Sequence, residues 1–367
     1  MKIIFKRKQK YRLIKSNKYI VNKTNNINYI MIFYKIIYIF FSIAIINKTL
    51  KTNNNLNISL QNSITNKTNE ADNRISNERY INTKTNFKYY CCFCTVARRE
   101  NRYARELISY YMNLGVEKFV FGDNNFPNTE KLSDVLQDYI NNGTVDIIEI
   151  FGSSVAQGAF FGKMYEQYKE YCEWLAFFDF DEYLVMHFKK EKKIKLKEYL
   201  SNQIFDKCEA IEFNWLIYGD NGLIYYDNRP LIERFTEPNY NDPSNKFVKS
   251  IVRGNLNKTV FEAGKTHHQP SLELNLCNSL GEPTIDHNDC IIPPLFKYAY
   301  LMHFNTKTAE EYVDKIKKGI NGNIPLSEEE GIDKFFQYNE FTEEKLKVFE
   351  QKLNKTFTKY HTKDFNK

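Results

Sequence analysis

The sequence predicts an α/β protein: a mainly parallel sheet covered by helices on both faces, followed by a mixed half that would face an acceptor. Two observations predict it. From Phe87 to Leu184, short apolar β-prone runs alternate with stretches of helical periodicity. That alternation is what parallel strands joined by crossover helices produce. After Lys190 the rhythm breaks into strands separated by long loops. Ligands of open parallel sheets bind at the carboxyl ends of the strands.

"FKYYCCFCTVA" (87–97) is an apolar run and predicts a central strand. "ENRYARELISYYMNLG" (100–115) puts Tyr103, Leu107, Tyr110, Tyr111 and Leu114 on one helical face and ends at Gly115. "EKFVFGD" (117–123) is a second strand. In "TEKLSDVLQDYINNG" (129–143) Leu132, Val135, Leu136 and Tyr139 form the inner face of a helix. "TVDIIEI" (144–150) is a third strand, "GKMYEQYKEYCEW" (162–174) a helix and "LAFFDFDEYL" (175–184) a fourth strand. Later strands are expected at 209–219, 229–235, 247–254 and 298–304. A helix over 308–319 starts with a capping box, Thr308 and Glu311. Residues 342–357 read as a basic amphipathic helix.

The 367 residues carry a formal charge of +7. Residues 1–28 alone hold nine Lys or Arg and no acid, so everything after them is net negative. A nucleic-acid footprint should lie on the folded body, so nucleic acid is excluded as a partner. Residues 29–46, "YIMIFYKIIYIFFSIAII", are apolar apart from Lys35 and Ser42. At about 1.5 Å per residue they just cross a bilayer core of about 30 Å. No small-residue cleavage site follows, which predicts a retained signal anchor. The basic tail then stays cytoplasmic, with the body across the membrane; in a eukaryotic host this means the Golgi lumen. Residues 47–86 contain twelve Asn and no apolar periodicity, and read as a stalk. The folded domain is expected over 87–360. Of seven cysteines, Cys91, Cys92 and Cys94 lie on the first strand as buried thiols, and Cys277 with Cys290 form a candidate lumenal disulfide. Asn-X-Ser/Thr sequons at Asn57, Asn66, Asn142, Asn257 and Asn354 carry little weight in so Asn-rich a chain.

Three acids, Asp179, Asp181 and Glu182, interrupt an otherwise apolar run. Buried carboxylates are costly without a partner. Side chains at i and i+2 of a strand share a face, so Asp179 and Asp181 should point together, about 6.6 Å apart at Cα, with Phe178 and Phe180 in the core. Two hard oxygen ligands on a rigid edge suit Mn²⁺ or Mg²⁺ shared with substrate phosphates. Such an ion would offset the burial and neutralise a departing diphosphate. No Gly-rich P-loop is present, which argues against an ATPase.

Four blocks now resemble glycosyltransferase family 92 and related family 2-like enzymes. They are "CTVARRENRYARELISYYMNLGVEKFVFGDNN" (94–125), "WLAFFDFDEYL" (174–184), "FNWLIYGDNG" (213–222) with "LIERF" (231–235) and "KSIVR" (249–253), and "YLMHFNTKTAEEYVDKIKKG" (300–319). The resemblance implies a GT-A-like fold, a nucleotide-sugar donor such as a UDP-sugar, a divalent metal, and transfer of a sugar, possibly galactose, to a glycan acceptor. Carried over by position, Asp181 and Asp179 match the Asp-X-Asp metal motif, with Asp179 also near the ribose. Glu182 extends the motif. His303 would complete the metal shell. Asp123 and Asn124 end the second strand, where the nucleoside is gripped; Arg98 and Glu100 would border the base or diphosphate. Lys307 would touch the diphosphate as a point charge.

The acceptor side carries weaker expectations. Trp215 reads either as a platform that stacks on a sugar or as a buried core residue, and Arg234, Lys249, His267 and His268 are polar residues near strand edges. Asp220 and Glu233 are candidates by position for a general base. Gln157 and Gly158 precede a helix; they read as a plain helix-entry loop, with proximity to the donor as the alternative. The alternative is a catalytically inactive carbohydrate-binding membrane protein of the same fold.

Overall fold

The computed structural model describes residues 86–151, 157–187, 194–261, 268–284, 289–318 and 327–361. The expected tail, anchor and stalk, along with His267, lie outside the described residues. Among the described residues no helix is long and apolar enough to cross a membrane.

The strands are β1 (Tyr89–Ala97), β2 (Lys118–Asp123), β3 (Val145–Glu149), β4 (Cys172–Phe177), β5 (Glu182–Met186), β6 (Ala210–Tyr218), β7 (Pro238–Asn239), β8 (Val248–Arg253), β9 (Leu276–Asn278) and β10 (Ala299–His303). The helices are α1 (Asn101–Leu114), α2 (Leu132–Asn141), α3 (Gln157–Tyr168), α4 (Leu196–Leu200), α5 (Leu231–Arg234), α6 (Ala309–Lys318), α7 (Glu328–Tyr338) and α8 (Glu343–Leu353). The sheet runs β3-β2-β1-β4-β8-β6-β10-β5, with β7 and β9 paired to β6. β3, β2, β1 and β4 are parallel. β8 is antiparallel to both β4 and β6, and β5 is antiparallel to β10. The α/β architecture with a parallel first half and a mixed second half is therefore present as expected.

Alternation along β1 builds the layers. Cys91 and Phe93 face one side, with α1 and α2 packed through Leu107, Tyr111, Leu132 and Leu136. Cys92 and Cys94 face the other, where α3 packs through Phe160, Phe161, Met164 and Tyr165. Buried apolar positions on both faces are what a central parallel strand requires. α1 stops at Gly115, whose φ of 104° lets its N–H reach the carbonyls of Tyr111 and Met112. α6, α7 and α8 share a third apolar cluster around Phe335, Leu346 and Phe349.

Several expectations change. The run 175–184 is not one strand: the chain leaves β4 after Phe177, turns at 178–181 and re-enters as β5. Phe178 and Phe180 are still buried; Phe178 packs 6.0 Å from Phe93 between ring centroids. A turn that buries two aromatics reads in sequence as continuous strand. The helix expected at 162–174 is α3, starting at Gln157 and ending at Tyr168. The strand expected at 229–235 is the single helical turn α5, entered from Pro230, whose fixed φ suits a helix start. The disulfide expected between Cys277 and Cys290 is not formed; Cys277 pairs with Cys208 because β9 lies beside β6, and Cys92 pairs with Cys172. Cys290 is free.

Candidate active site

The site forms where four chain segments meet at the turn 178–181. Register places them. On β8, Ser250 pairs with Phe177 of β4, so Lys249 comes level with the start of the turn. Across β10 and β5, His303 pairs with Glu182, and the Phe304 N–H donates to the Asp181 carbonyl at 2.9 Å. This pairing sets the His303 imidazole beside Asp181.

The two aspartates have different company. Asp179 is partly buried; its Oδ2 lies 2.8 Å from Lys249 Nζ, and Gln157 Nε2 donates to its Oδ1 at 2.6 Å. Asp181 is 6 % exposed. Three cationic or potentially cationic groups converge on it: His303 Nε2 at 3.6 Å, Lys307 Nζ at 3.5 Å and Lys315 Nζ at 3.7 Å. None is within ordinary hydrogen-bond range. Burial alone would push the Asp181 carboxyl up, but Lys307, Lys315 and His303 outweigh it and hold it well below the usual range. The same burial lowers His303, only partly opposed by Asp181, so its imidazole is neutral near pH 7. The two lysines offset the carboxylate burial.

Glu182 is fully buried, and one of its oxygens accepts the Asp179 N–H at 2.9 Å. Burial and the neighbouring Asp179 charge push its carboxyl well above the usual range, against the pull of Lys249. It holds the turn through that bond.

A small cleft open to solvent lies against Lys307 and Lys315, the lysines nearest Asp181. Arg99, Glu100, Tyr103, Asn305, Thr306, Lys307, Glu311, Asp314 and Lys315 line it. Of the residues expected here, Glu100 and Lys307 are on its wall. Arg98 sits over the Phe126 ring, 4.5 Å from its centroid. Asn124 is buried directly after β2. Asp123 is committed elsewhere: one oxygen accepts from the Asn125 backbone and side chain at 3.0 and 2.8 Å, the other from Leu132 N–H at 2.8 Å. It ties the end of β2 to the start of α2.

The acceptor-side expectations are redistributed. Arg234 is a buried structural cation, forked onto Glu311 at 2.8 and 3.0 Å. Lys249 is fully buried and serves Asp179. Trp215 is 9 % exposed, packed 4.2 Å from His303 and 5.1 Å from His268 between centroids, so it is a wall behind the imidazole and has no open face for a sugar. Asp220 is buried against Lys345 at 2.7 Å, and Glu233 is exposed on α5. Neither is brought to the turn as a base. Gln157 does reach the site, as the first residue of α3. Lys315 went unread; on "VDKIKKG" it resembles one more solvated lysine, and only its placement eight residues beyond Lys307 on α6 hints otherwise.

The chemistry of the donor set can be tested against a divalent ion. Among the described residues no group of three His, Cys, Asp or Glu side chains converges to hold one alone. The pair Asp181 and neutral His303 does fit an ion that completes its shell with substrate oxygens, and the mixed N/O donors favour Mn²⁺ over Mg²⁺.

Residues 87–260 match the model of glycosyltransferase family 92. A family 92 protein of Arabidopsis thaliana is 26% identical over 202 residues, covering 50% of this chain and 32% of that one. One from Oryza sativa is 31% identical over 93 residues, covering 25% and 16%. The chain thus spans about a third or less of the length of these relatives. Among solved structures, Staphylococcus aureus TarS residues 1–349 in complex with UDP-GlcNAc shows 12% identity and a TM-score of 0.34, covering 72% of each chain. Over residues 87–260, under half of its length, the chain is thus similar to glycosyltransferase family 92.

Proposed function

We propose that this protein is a metal-dependent glycosyltransferase that moves a sugar from a nucleotide-sugar donor, a UDP-sugar first, to a glycan acceptor. One observation carries the reading. Asp179 and Asp181 lie in a turn at the carboxyl end of β4, where ligands of parallel sheets bind, inside the segment similar to family 92; His303 and Lys307 stand beside Asp181, and Lys307 lines an open cleft. Asp181 and His303, with Asp179 beside them, would hold Mn²⁺ or Mg²⁺. When bound, the ion would supply Lewis-acid neutralisation of the leaving diphosphate. The chain's own residues do the positioning. Glu182 fixes the backbone of the turn, Lys249 and Gln157 fix the Asp179 carboxylate, and Trp215 backs the His303 ring. Lys307 has a left-handed backbone, φ 58°, which costs about 1 kcal/mol or more and is kept where a side chain must be aimed. Its ammonium is aimed at Asp181.

The test is turnover. Full-length chain with Mn²⁺, a set of UDP-hexoses and UDP-N-acetylhexosamines, and mixed oligosaccharide acceptors should release UDP and add one sugar mass to an acceptor; UDP-galactose is the first donor to try. Folded protein that turns over none of them would reject the reading.

We also propose that residues 29–46 anchor the chain, with the body in an oxidising lumen. The Cys92–Cys172 and Cys208–Cys277 pairs support this, because structural disulfides persist in such compartments. Non-reducing peptide mapping of protein made through a secretory route should recover both linked pairs. Free thiols at all four positions would remove this support for the compartment.

A further inference from the structure

The cleft beside Asp181 carries more basic chemistry than the metal motif requires. Lys315 projects from α6, and its ammonium donates to the Asn305 carbonyl at 2.7 Å and to the Asn305 side-chain oxygen at 2.5 Å. Those contacts hold the Nζ at the cleft wall, 3.7 Å from Asp181. Lys307 approaches the same carboxylate oxygen from the preceding loop, at 3.5 Å. Its Nζ also lies 4.9 Å from the Tyr103 ring centroid, within the cleft lining. Arg99 also lines the cleft, on a backbone with φ 57° that its N–H to Asn125 Oδ1 bond, 2.7 Å, holds in place. The acids of the lining are largely engaged with cations outside it. Glu311 is forked by Arg234, and Asp314 is bonded by Arg102 at 3.0 Å. Glu100 is the third acid, at the mouth of α1. Asp181 therefore acts as a counter-ion shared by two lysines, neither of them close enough to form a tight pair.

Two ammonium groups held together by one recessed carboxylate form a receptor for an anion carrying more than one charge. A diphosphate has two charged phosphoryl groups and can take a lysine on each as a point charge. We propose that Lys315 and Lys307 form a diphosphate cradle, in which Lys315, a residue of α6 outside the family-matched segment, grips one phosphoryl group of the donor and of the leaving nucleoside diphosphate. This rests on the transferase reading for the identity of the ligand, and on the cleft alone for the anion. Lys315 and Lys307 move from Asp181 to the phosphate oxygens when the anion enters, and return when it leaves.

The test uses full-length chain with a chelator, so that no metal contributes. Binding of inorganic pyrophosphate, UDP and uridine is measured by calorimetry for the wild type, Lys315→Met, Lys315→Arg and Lys307→Met. Charge-assisted contacts of this kind are worth about 1.5–3 kcal/mol, so each Met variant should lose about 10- to 100-fold in UDP and pyrophosphate affinity. Uridine binding should be unchanged, and Lys315→Arg should keep most of the affinity, which also shows that position 315 tolerates substitution. UDP and pyrophosphate affinities within twofold of wild type in Lys315→Met would overturn the cradle and leave the transferase reading standing. So would an equal loss of uridine, which would mean a distorted fold. Wild type that binds neither anion would also overturn it. Pyrophosphate binding that depends on Lys315, in a protein that turns over no nucleotide-sugar, would uphold the cradle and reject the transferase reading.

Discussion

Arg234→Met should lower the free energy of unfolding by about 3–5 kcal/mol, the usual cost of leaving one partner of a buried ion pair alone. The side chains of Arg234 and Glu311 are each 1 % exposed and joined by two hydrogen bonds. Glu311 also accepts from the Tyr103 hydroxyl at 2.7 Å and the Thr308 hydroxyl at 2.7 Å. It therefore links α5, α1 and the start of α6, and its loss should loosen the wall that carries Lys307. Arg234→Met combined with Glu311→Leu should recover much of the loss, because the orphaned charge is gone. The measurement is the urea midpoint at constant m-value. A midpoint unchanged in Arg234→Met would show that the pair contributes nothing. The pair also sets an acid limit. Burial would raise the Glu311 carboxyl, but its bonds to Arg234 and Tyr103 win, so its value in the fold lies below the ordinary 4.5. A group lowered by folding stabilises above its unfolded value and loses that contribution as pH falls through the folded one. Wild type should weaken below about pH 4.5 more steeply than Arg234→Met/Glu311→Leu.

Much of this was legible in the chain. The first strands and helices follow from periodicity because each is buried on the face its pattern marks, Tyr103, Leu107 and Tyr111 on α1 among them. Asp179, Asp181, His303 and Lys307 could be placed at strand ends because those ends lie at the edge of long apolar runs. What failed was tertiary. Arg234 reads as a surface residue of a strand; a proline-led helical turn and a glutamate 77 positions later bury it. Lys249 reads as an alternating polar position, yet β8 lies between β4 and β6, so its side chain goes inside and finds Asp179. Asp220 follows a strand in the manner of a catalytic acid, but Lys345 of α8 neutralises it. In each case the partner comes from a distant element, and no local pattern announces it. α7 escaped for a different reason. Its apolar residues Ile332 and Phe335 belong to a cluster shared with α6 and α8 and separate from those on the two faces of β1, and its first turn is three glutamates, which read as loop.

Asp181→Asn should reduce turnover at least about 1,000-fold, on the scale of losing one preorganised transition-state contact or more, while the protein stays folded. The amide keeps the shape of the turn, because the Asp181 backbone carbonyl still accepts from Phe304. The charge is what is lost, and with it any hold on a divalent ion. Binding should separate from turnover. Asp181 is the counter-ion of Lys307 and Lys315, so it competes with phosphate for both. Removing that charge should raise UDP affinity in chelator by about fivefold or more, since a single charge a few ångströms away is worth about 1–4 kcal/mol in a partly solvated site. The gain in affinity on adding Mn²⁺ should vanish. Asp179→Asn should behave differently. Its partner Lys249 is fully buried, so this variant should lose stability first and activity as a consequence. Wild-type turnover by Asp181→Asn would reject the metal role for this residue. UDP binding in chelator that falls along with turnover would show that Asp181 orients the lysines for the anion instead of competing with it. The two aspartates of one short motif thus have separable tasks: Asp179 neutralises a buried lysine under the turn, and Asp181 is the shared counter-ion of the two cleft lysines, which an arriving anion should displace.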